Sequence, residues 1–276
     1  MSLDLKFTTL KHTDETAIYQ AFTLAFENYV IPLEFNQYRT FERWHEAGVD
    51  FNLSYGAFHG EELVAFVLQV PVGGTLYNFG TGVIPSYRGQ HLIQKIYDVI
   101  RKELPEFEKF TLEVIQENTP ALSLYRKLEF EITRELISLK GTLTSVTRPE
   151  KNLTYDITPL KSTDDMQRIR LAHPSSEFSG PVLGKYPDRN ELHTLKKDDD
   201  LLSYAIYTPG PMTLKEFGAL DRNEKFLDQL FFQMKLNGEQ IRIMNIDSRA
   251  EDLISYFQKR GLEIFVKQFE MEKSLI

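Results

Sequence analysis

Between residues 52 and 139 the chain alternates between two hydrophobic periods, and this limits the folds open to it more than any other feature. Asn52–Phe58 and Leu63–Val72 read as strands joined at His59-Gly60-Glu61, and Leu76–Ile84 as a further strand stopped by Pro85. A helical spacing then sets Leu92, Ile96 and Ile100 on one face over residues 89–103. Phe110–Ile115 returns to strand, Pro120–Leu128 to a short helix, and Phe130–Leu139 to a strand that closes this half. Upstream, Thr13-Asp14-Glu15 offers a helix cap with acid in the first turn, followed by Ile18, Phe22 and Phe26 on one face; a second helix fits 37–47. Two helices, two strands and then β-α-β-α-β predict an α/β chain, a mixed α+β sheet with helices on both faces.

Composition narrows the function. Of the 276 residues, 42% are hydrophobic and 26% charged, enough apolar mass for a packed core and too much for a disordered chain. Lys and Arg number 32 against 40 Asp and Glu, a net charge of −8, so binding nucleic acid through bulk basic charge is not expected. The absence of cysteine excludes disulfides, thiolate metal sites and a cysteine nucleophile, and the six histidines show no metal-ligand spacing. The start, MSLDLKFTTL, lacks the basic and apolar regions of a signal peptide, and no apolar run reaches a membrane span. A soluble, cytoplasmic protein with no membrane partner is the expectation. Residues 141–153, GTLTSVTRPEKNL, lack periodicity and read as a linker between a domain at 1–140 and a second at 154–276.

Chemistry concentrates in two stretches. In Gly82-Val-Ile-Pro-Ser-Tyr-Arg-Gly-Gln-His-Leu-Ile93 a strand ends at a proline, a glycine turn follows and a helix begins. Helix starts leave backbone N–H groups unpaired and carry partial positive charge, so this turn can take an anion; Arg88 adds a full charge and a bidentate donor. The second stretch, Leu112 to Phe130, runs from a strand through Asn118 into a helix bearing Tyr125.

Val83, Pro85, Tyr87, Arg88 and Gly89 resemble the acyl-CoA signature of the GNAT superfamily of N-acyltransferases, Arg/Gln-x-x-Gly-x-Gly/Ala between a strand and a helix. Leu112, Val114, Asn118, Ala121, Leu124, Tyr125, Lys127 and Phe130 are similar to the block that follows it in that family. The resemblance is sharpest over 76–132, and element order extends it over 1–140. It implies an acetyl-CoA-dependent N-acetyltransferase acting on a small-molecule or peptide primary amine, without a metal. The cofactor would lie on Val83, Ile84, Arg88, Gly89, Gln90, His91, Leu92 and Asn118, with Tyr125 as general acid. Two family glycine or alanine positions are His91 and Ile93 here, and a side chain there can obstruct close approach to a pyrophosphate. The strand before the turn holds no acid, so Glu27, Glu34 and Asp50 are the candidate general bases, with Glu27 placed first; a water relay or the carboxylate of Ile276 is the other route. The rival expectation is a non-catalytic module that binds CoA or a partner.

Residues 201–272 repeat the element order of 63–139. Ile241–Ile246 answers to 109–114 and Phe257–Ile264 to Tyr125–Ile132, which puts Ala250 opposite Asn118 and Phe257 opposite Tyr125. The Arg-Gly turn has no counterpart. The second half therefore resembles a degenerate copy of the first, as in tandem GNAT proteins.

Overall fold

The computed structural model describes residues 4–33, 35–144, 146–160, 164–178, 183 and 190–275. The chain forms two compact units, one of residues 1–132 with 271–276 and one of residues 133–270.

In the first unit β1 (Leu5–Thr9) pairs antiparallel with β2 (Tyr55–His59), β2 with β3 (Glu62–Val72), and β3 with β4 (Thr75–Val83). β5 (Lys109–Ile115) runs parallel to β4, which demands a crossover, and α3 (Leu92–Glu103) provides it. α1 (Glu15–Phe26) and α2 (Gln37–Ala47) lie between β1 and β2 in the chain, and α4 (Thr119–Lys127) follows β5. Val64, Ala65, Phe66, Val67 and Leu68 of β3 are all fully buried, so this central strand reads as an unbroken apolar run. α1, α2 and α4 start where a side chain can serve their free N–H groups. Asp14 accepts from Thr16 N–H at 2.7 Å, Asn36 from Arg39 N–H at 3.0 Å, and Asn118 from Ala121 N–H at 3.2 Å. The predicted elements form within a few residues of their expected bounds. β1 is an addition, a five-residue strand too short for its alternation to stand out.

The second unit repeats the pattern. β7 (Thr154–Pro159), β8 (Glu191–Lys197), β9 (Asp200–Thr208) and β10 (Thr213–Ala219) pair antiparallel in that order, and β11 (Gln240–Asp247) runs parallel to β10. α5 (Glu224–Gln233) makes the crossover and α6 (Glu251–Gln258) follows β11, in the places of α3 and α4. Ala250 stands at the α6 N-cap, as Asn118 does for α4, but makes no side-chain cap bond.

The strand predicted at 130–139 to close the first half forms as β6 (Glu131–Thr142). From residue 133 onward it belongs to the second unit, where it pairs antiparallel with β11. β12 (Leu262–Ser274) ends in the first unit: there Lys109 Nζ lies 3.0 Å from Glu272 Oε2, and Leu275 N–H donates to Glu108 O at 2.8 Å. An alternating pattern specifies which face of a strand is buried and leaves its neighbour open. Residues 141 and 142 are the last of β6, and β7 begins at 154.

β10 and β11 stay paired only at Thr213 and Leu214, against Arg242 and Ile243. Beyond that point the second unit's own chain lies on the freed edge of β10. Arg170 bridges to Gly218, Leu171 N–H reaches Phe217 O at 3.4 Å, and Arg170 holds Glu216 at 2.8 Å. Because β9 occupies the opposite edge of β10, these residues sit on the side facing β11. A Cβ on Gly218 would come within 2.3 Å of Ile169 O, a backbone atom with no room to yield. Gly218→Ala is expected to lower unfolding stability by about 1–3 kcal/mol, the usual range for overpacking, as read by denaturant titration.

Candidate active site

β4 and β5 are paired over four positions, Thr75–Asn78 against Lys109–Leu112. There β4 carries one extra residue, Phe79, between the pairs Leu68–Gly80 and Gln69–Asn78. A bulge of this kind bends its strand and increases the local twist. Beside the freed end of β4 lies a cavity of about 590 Å³. Its walls come from the end of α1 and the residues after it, the last residues of β4, the turn into α3 with that helix's first residues, and the length of α4.

Of the residues singled out in the sequence, Val83, Arg88, Gly89, Gln90, His91, Leu92, Asn118 and Tyr125 line this one cavity. Ile84 and Glu27 are not among its lining residues. Ile84 is buried and gives its N–H to Val64 O at 3.0 Å, which ties it to β3. Glu27 is the exposed C-cap residue of α1. Asp50 is occupied by a turn, accepting Asn52 N–H at 2.8 Å and its side-chain amide at 2.7 Å. Glu34 and Ile276 lie outside the described residues. No carboxylate is found among the described residues that line the cavity.

The turn into α3 has the expected character, with one unusual residue. Gly89 has φ +78, a left-handed conformation that glycine adopts without steric cost. His91 takes φ 57, ψ 28 as the N-cap of α3 and makes no side-chain cap bond. A side chain in that region costs roughly 1–2 kcal/mol. Arg88 reaches back across the turn, donating from Nη2 to Ala25 O at 3.0 Å and from Nε to Val83 O at 3.3 Å. It thereby joins the last turn of α1 to the end of β4 and caps a helix carbonyl with a cation, a favourable pairing with the negative end of the helix dipole.

Tyr125 sits on α4, buried, with its hydroxyl 3.4 Å from the side-chain amide nitrogen of Asn78. The same nitrogen lies 2.9 Å from Tyr97 OH and 2.7 Å from Thr81 Oγ1. Burial pushes the Tyr125 phenol up to about 12; the nearby Tyr29 adds to the rise, and hydrogen bonds from Thr81 and Asn78 offset part of it. Burial also holds Tyr97 well above its ordinary value. Tyr125 is therefore a neutral hydrogen-bond donor across the physiological range. Asn118 has two duties: it caps α4 and also hydrogen-bonds the phenol of Tyr29, which lines the cavity from beyond α1.

Tyr29, Asn78, Thr81 and Lys127 were not singled out as functional in the sequence. For Tyr29 a signal exists, since the face that carries Ile18, Phe22 and Phe26 continues onto it. Asn78 and Thr81 become visible only when the bulge turns them towards Tyr97 and Tyr125. The described residues hold no group of three His, Asp or Glu that could bind a metal, and no described helix is long and apolar enough to cross a membrane.

Similarities to known proteins point the same way. The chain's fold is that of N-acetyltransferases over nearly its whole length. A GCN5-related N-acetyltransferase from Sphaerobacter thermophilus superposes with TM-score 0.68 at 13% identity, covering 98% of this chain and 96% of that one. One from Anabaena variabilis gives 0.66 at 13% identity, covering 99% and 73%. A tandem GNAT protein from the clavulanic acid biosynthesis pathway gives 0.65 at 11% identity and covers 99% of both chains. No curated protein sequence matches. Residues 16–130 match the family model described as the acetyltransferase (GNAT) family, so the first unit carries a GNAT domain.

The raised phenol has a consequence for stability. The folded state holds the Tyr125 proton more tightly than the unfolded chain does, so its stability contribution is constant below pH 10 and is lost as pH rises towards 12. The loss approaches roughly 2–3 kcal/mol for this one group. Denaturant unfolding at pH 9 and 11.5 is expected to show a smaller alkaline loss in Tyr125→Phe than in the wild type.

Proposed function

We propose that the protein is an acyl-CoA-dependent N-acyltransferase that passes an acetyl group from acetyl-CoA to a primary amine by direct attack in a ternary complex. The observation that carries this reading is that one cavity gathers the free edge of β4, the Arg88-Gly89 turn at the start of α3, and the neutral phenol of Tyr125.

The residues fit the cofactor class. Gly89 brings backbone close without a side chain, α3 begins with uncapped N–H groups, and Arg88 and Lys127 supply positive charge for phosphates. The backbone of Val83 lies where an extended amide-bearing arm can pair, and Asn118 stands beside that path. An alkyl amine with pKa near 10.4 must lose a proton before attack, which costs about 4.6 kcal/mol at pH 7. With no carboxylate among the described lining residues, a water relay fits this requirement better than Glu27 does.

Tyr125 acts on the leaving sulfur. A thiol ionises near 8.5, so full transfer of the Tyr125 proton, held at about 12, would run uphill by roughly 5 kcal/mol. A hydrogen bond from the neutral phenol to the developing thiolate avoids that cost and still stabilises the transition state. A cytoplasmic setting belongs to the same proposal and rests on the cofactor class. The second reading, a CoA-binding module without turnover, is favoured by His91, whose side chain occupies a left-handed position at the phosphate turn.

Three measurements test the proposal. Acetyl-CoA at 100 times Kd is expected to raise wild-type stability by about 2.7 kcal/mol, and Arg88→Ala to lose most of that shift. His91→Gly, which relieves the left-handed strain and clears the turn, is expected to bind acetyl-CoA more tightly. Tyr125→Phe is expected to lower kcat by about 10- to 1,000-fold with little change in acetyl-CoA affinity. Wild-type turnover of no amine, together with a normal acetyl-CoA shift, would select the non-catalytic reading.

A further inference from the structure

We infer that the acceptor is an amine carried on an apolar, aromatic-sized body, and not a polycation; this rests on the acyltransferase reading above. Two independent features of the cavity point there.

The first is charge. The protein as a whole is acidic, with a net charge of −8, yet apart from tyrosines the ionisable side chains among the described cavity lining are Arg88, His91 and Lys127. A polyamine or aminoglycoside brings several ammonium groups at once. Only one can sit at the thioester, and each of the others needs a carboxylate or bulk water. Here no described lining residue offers the second ammonium a carboxylate.

The second feature is shape. Ala25, Phe26, Asn28, Tyr29 and Val30, the residues that the end of α1 gives to the cavity, are all uncharged. Of the aromatic rings here Phe26 and Tyr29 line the cavity, and further rings pack behind them. Tyr29 packs on Phe26 with ring centroids 4.9 Å apart, Phe26 on Phe22 at 4.6 Å, and Phe22 on Phe35 at 6.4 Å. These rings also serve the core, since Phe22 and Phe26 lie 6.2 and 6.5 Å from Phe66. Val30, which lines the cavity, is 45% exposed, so the apolar side of the cavity reaches solvent there. An apolar wall with few polar groups is how a pocket selects an apolar ligand.

The test compares 2-phenylethylamine with spermidine as acceptors at saturating acetyl-CoA, in the wild type and in Val30→Asp. The acetyl-CoA thermal shift is read on both proteins. Val30 is partly exposed and sits outside the proposed cofactor contacts, so the variant is expected to fold and to keep its shift. The wild type is expected to prefer phenylethylamine by about tenfold or more in kcat/KM, mainly through KM, and Val30→Asp to cut that preference by about tenfold. Equal or better use of spermidine by the wild type would overturn the inference, as would a preference that Val30→Asp leaves unchanged. Turnover of neither amine with the shift intact would also overturn it, while sparing the cofactor site. Loss of the shift in the wild type would remove the acyltransferase reading itself, and the inference with it.

Discussion

The organisation of both units depends on what happens to a strand edge when two parallel neighbours part. A backbone edge in a protein interior cannot be left without partners, because each buried N–H or C=O that loses its hydrogen bond costs free energy comparable to the bond itself. In the first unit β4 leaves β5 after Asn78, at the bulge made by Phe79, and its end faces a cavity large enough for a ligand. In the second unit β10 leaves β11 after Leu214, and residues 170 and 171 of the same chain take the freed edge. One topological device is thus resolved in two ways. In the first the freed edge borders a cavity; in the second the unit's own chain covers it.

The residues around the two openings follow this division. At the first, Asn78 gathers Thr81, Tyr97 and Tyr125 into a buried polar cluster, and burial there keeps the phenols protonated. At the second, Glu216 is buried against Arg170 and Tyr204, an ion pair with a phenol bonded to it that ties segment 164–178 to the sheet. Removing one partner of such a pair would strand a buried charge, so the arrangement holds that segment in place more than it serves chemistry. Phe257, in the place of Tyr125, is fully buried and has no hydroxyl to offer.

Much of the first unit was legible residue by residue. Asp14 before Glu15, Asn36 before Gln37 and Asn118 before Thr119 all form the caps that their side chains favour, so three helix starts could be placed without a structure. The turn at 82–93 and the helix bearing Tyr125 were legible as candidate sites because their residue types combine a charge, a glycine and a helix start in a fixed order, and they line one cavity. Arg88 shows the limit of that reasoning. Its charge is at the expected place, but two of its N–H groups hold Ala25 O and Val83 O, a structural duty that no spacing announces. Glu27 shows it from the other side. The sequence puts a carboxylate near the end of α1, but it is exposed to solvent, and Phe26 of the helix with Tyr29 and Val30 after it line the cavity instead.

The sequence by itself determined most of the order of elements, the cap at Asp14, the glycine turn before a helix at 82–93 and the repeat of element order in the second half. These follow from local rules, since periodicity, caps and turn residues act over a few positions along the chain. The tertiary structure alone decided that β6 pairs with β11, that residues 271–276 return to the first unit, and that the second opening is closed by residues 170 and 171. It also decided that the cavity of an acidic protein is lined by cations and aromatic rings. Those outcomes depend on which distant edges and faces meet, and an alternating or helical pattern names the face to be buried without naming its partner.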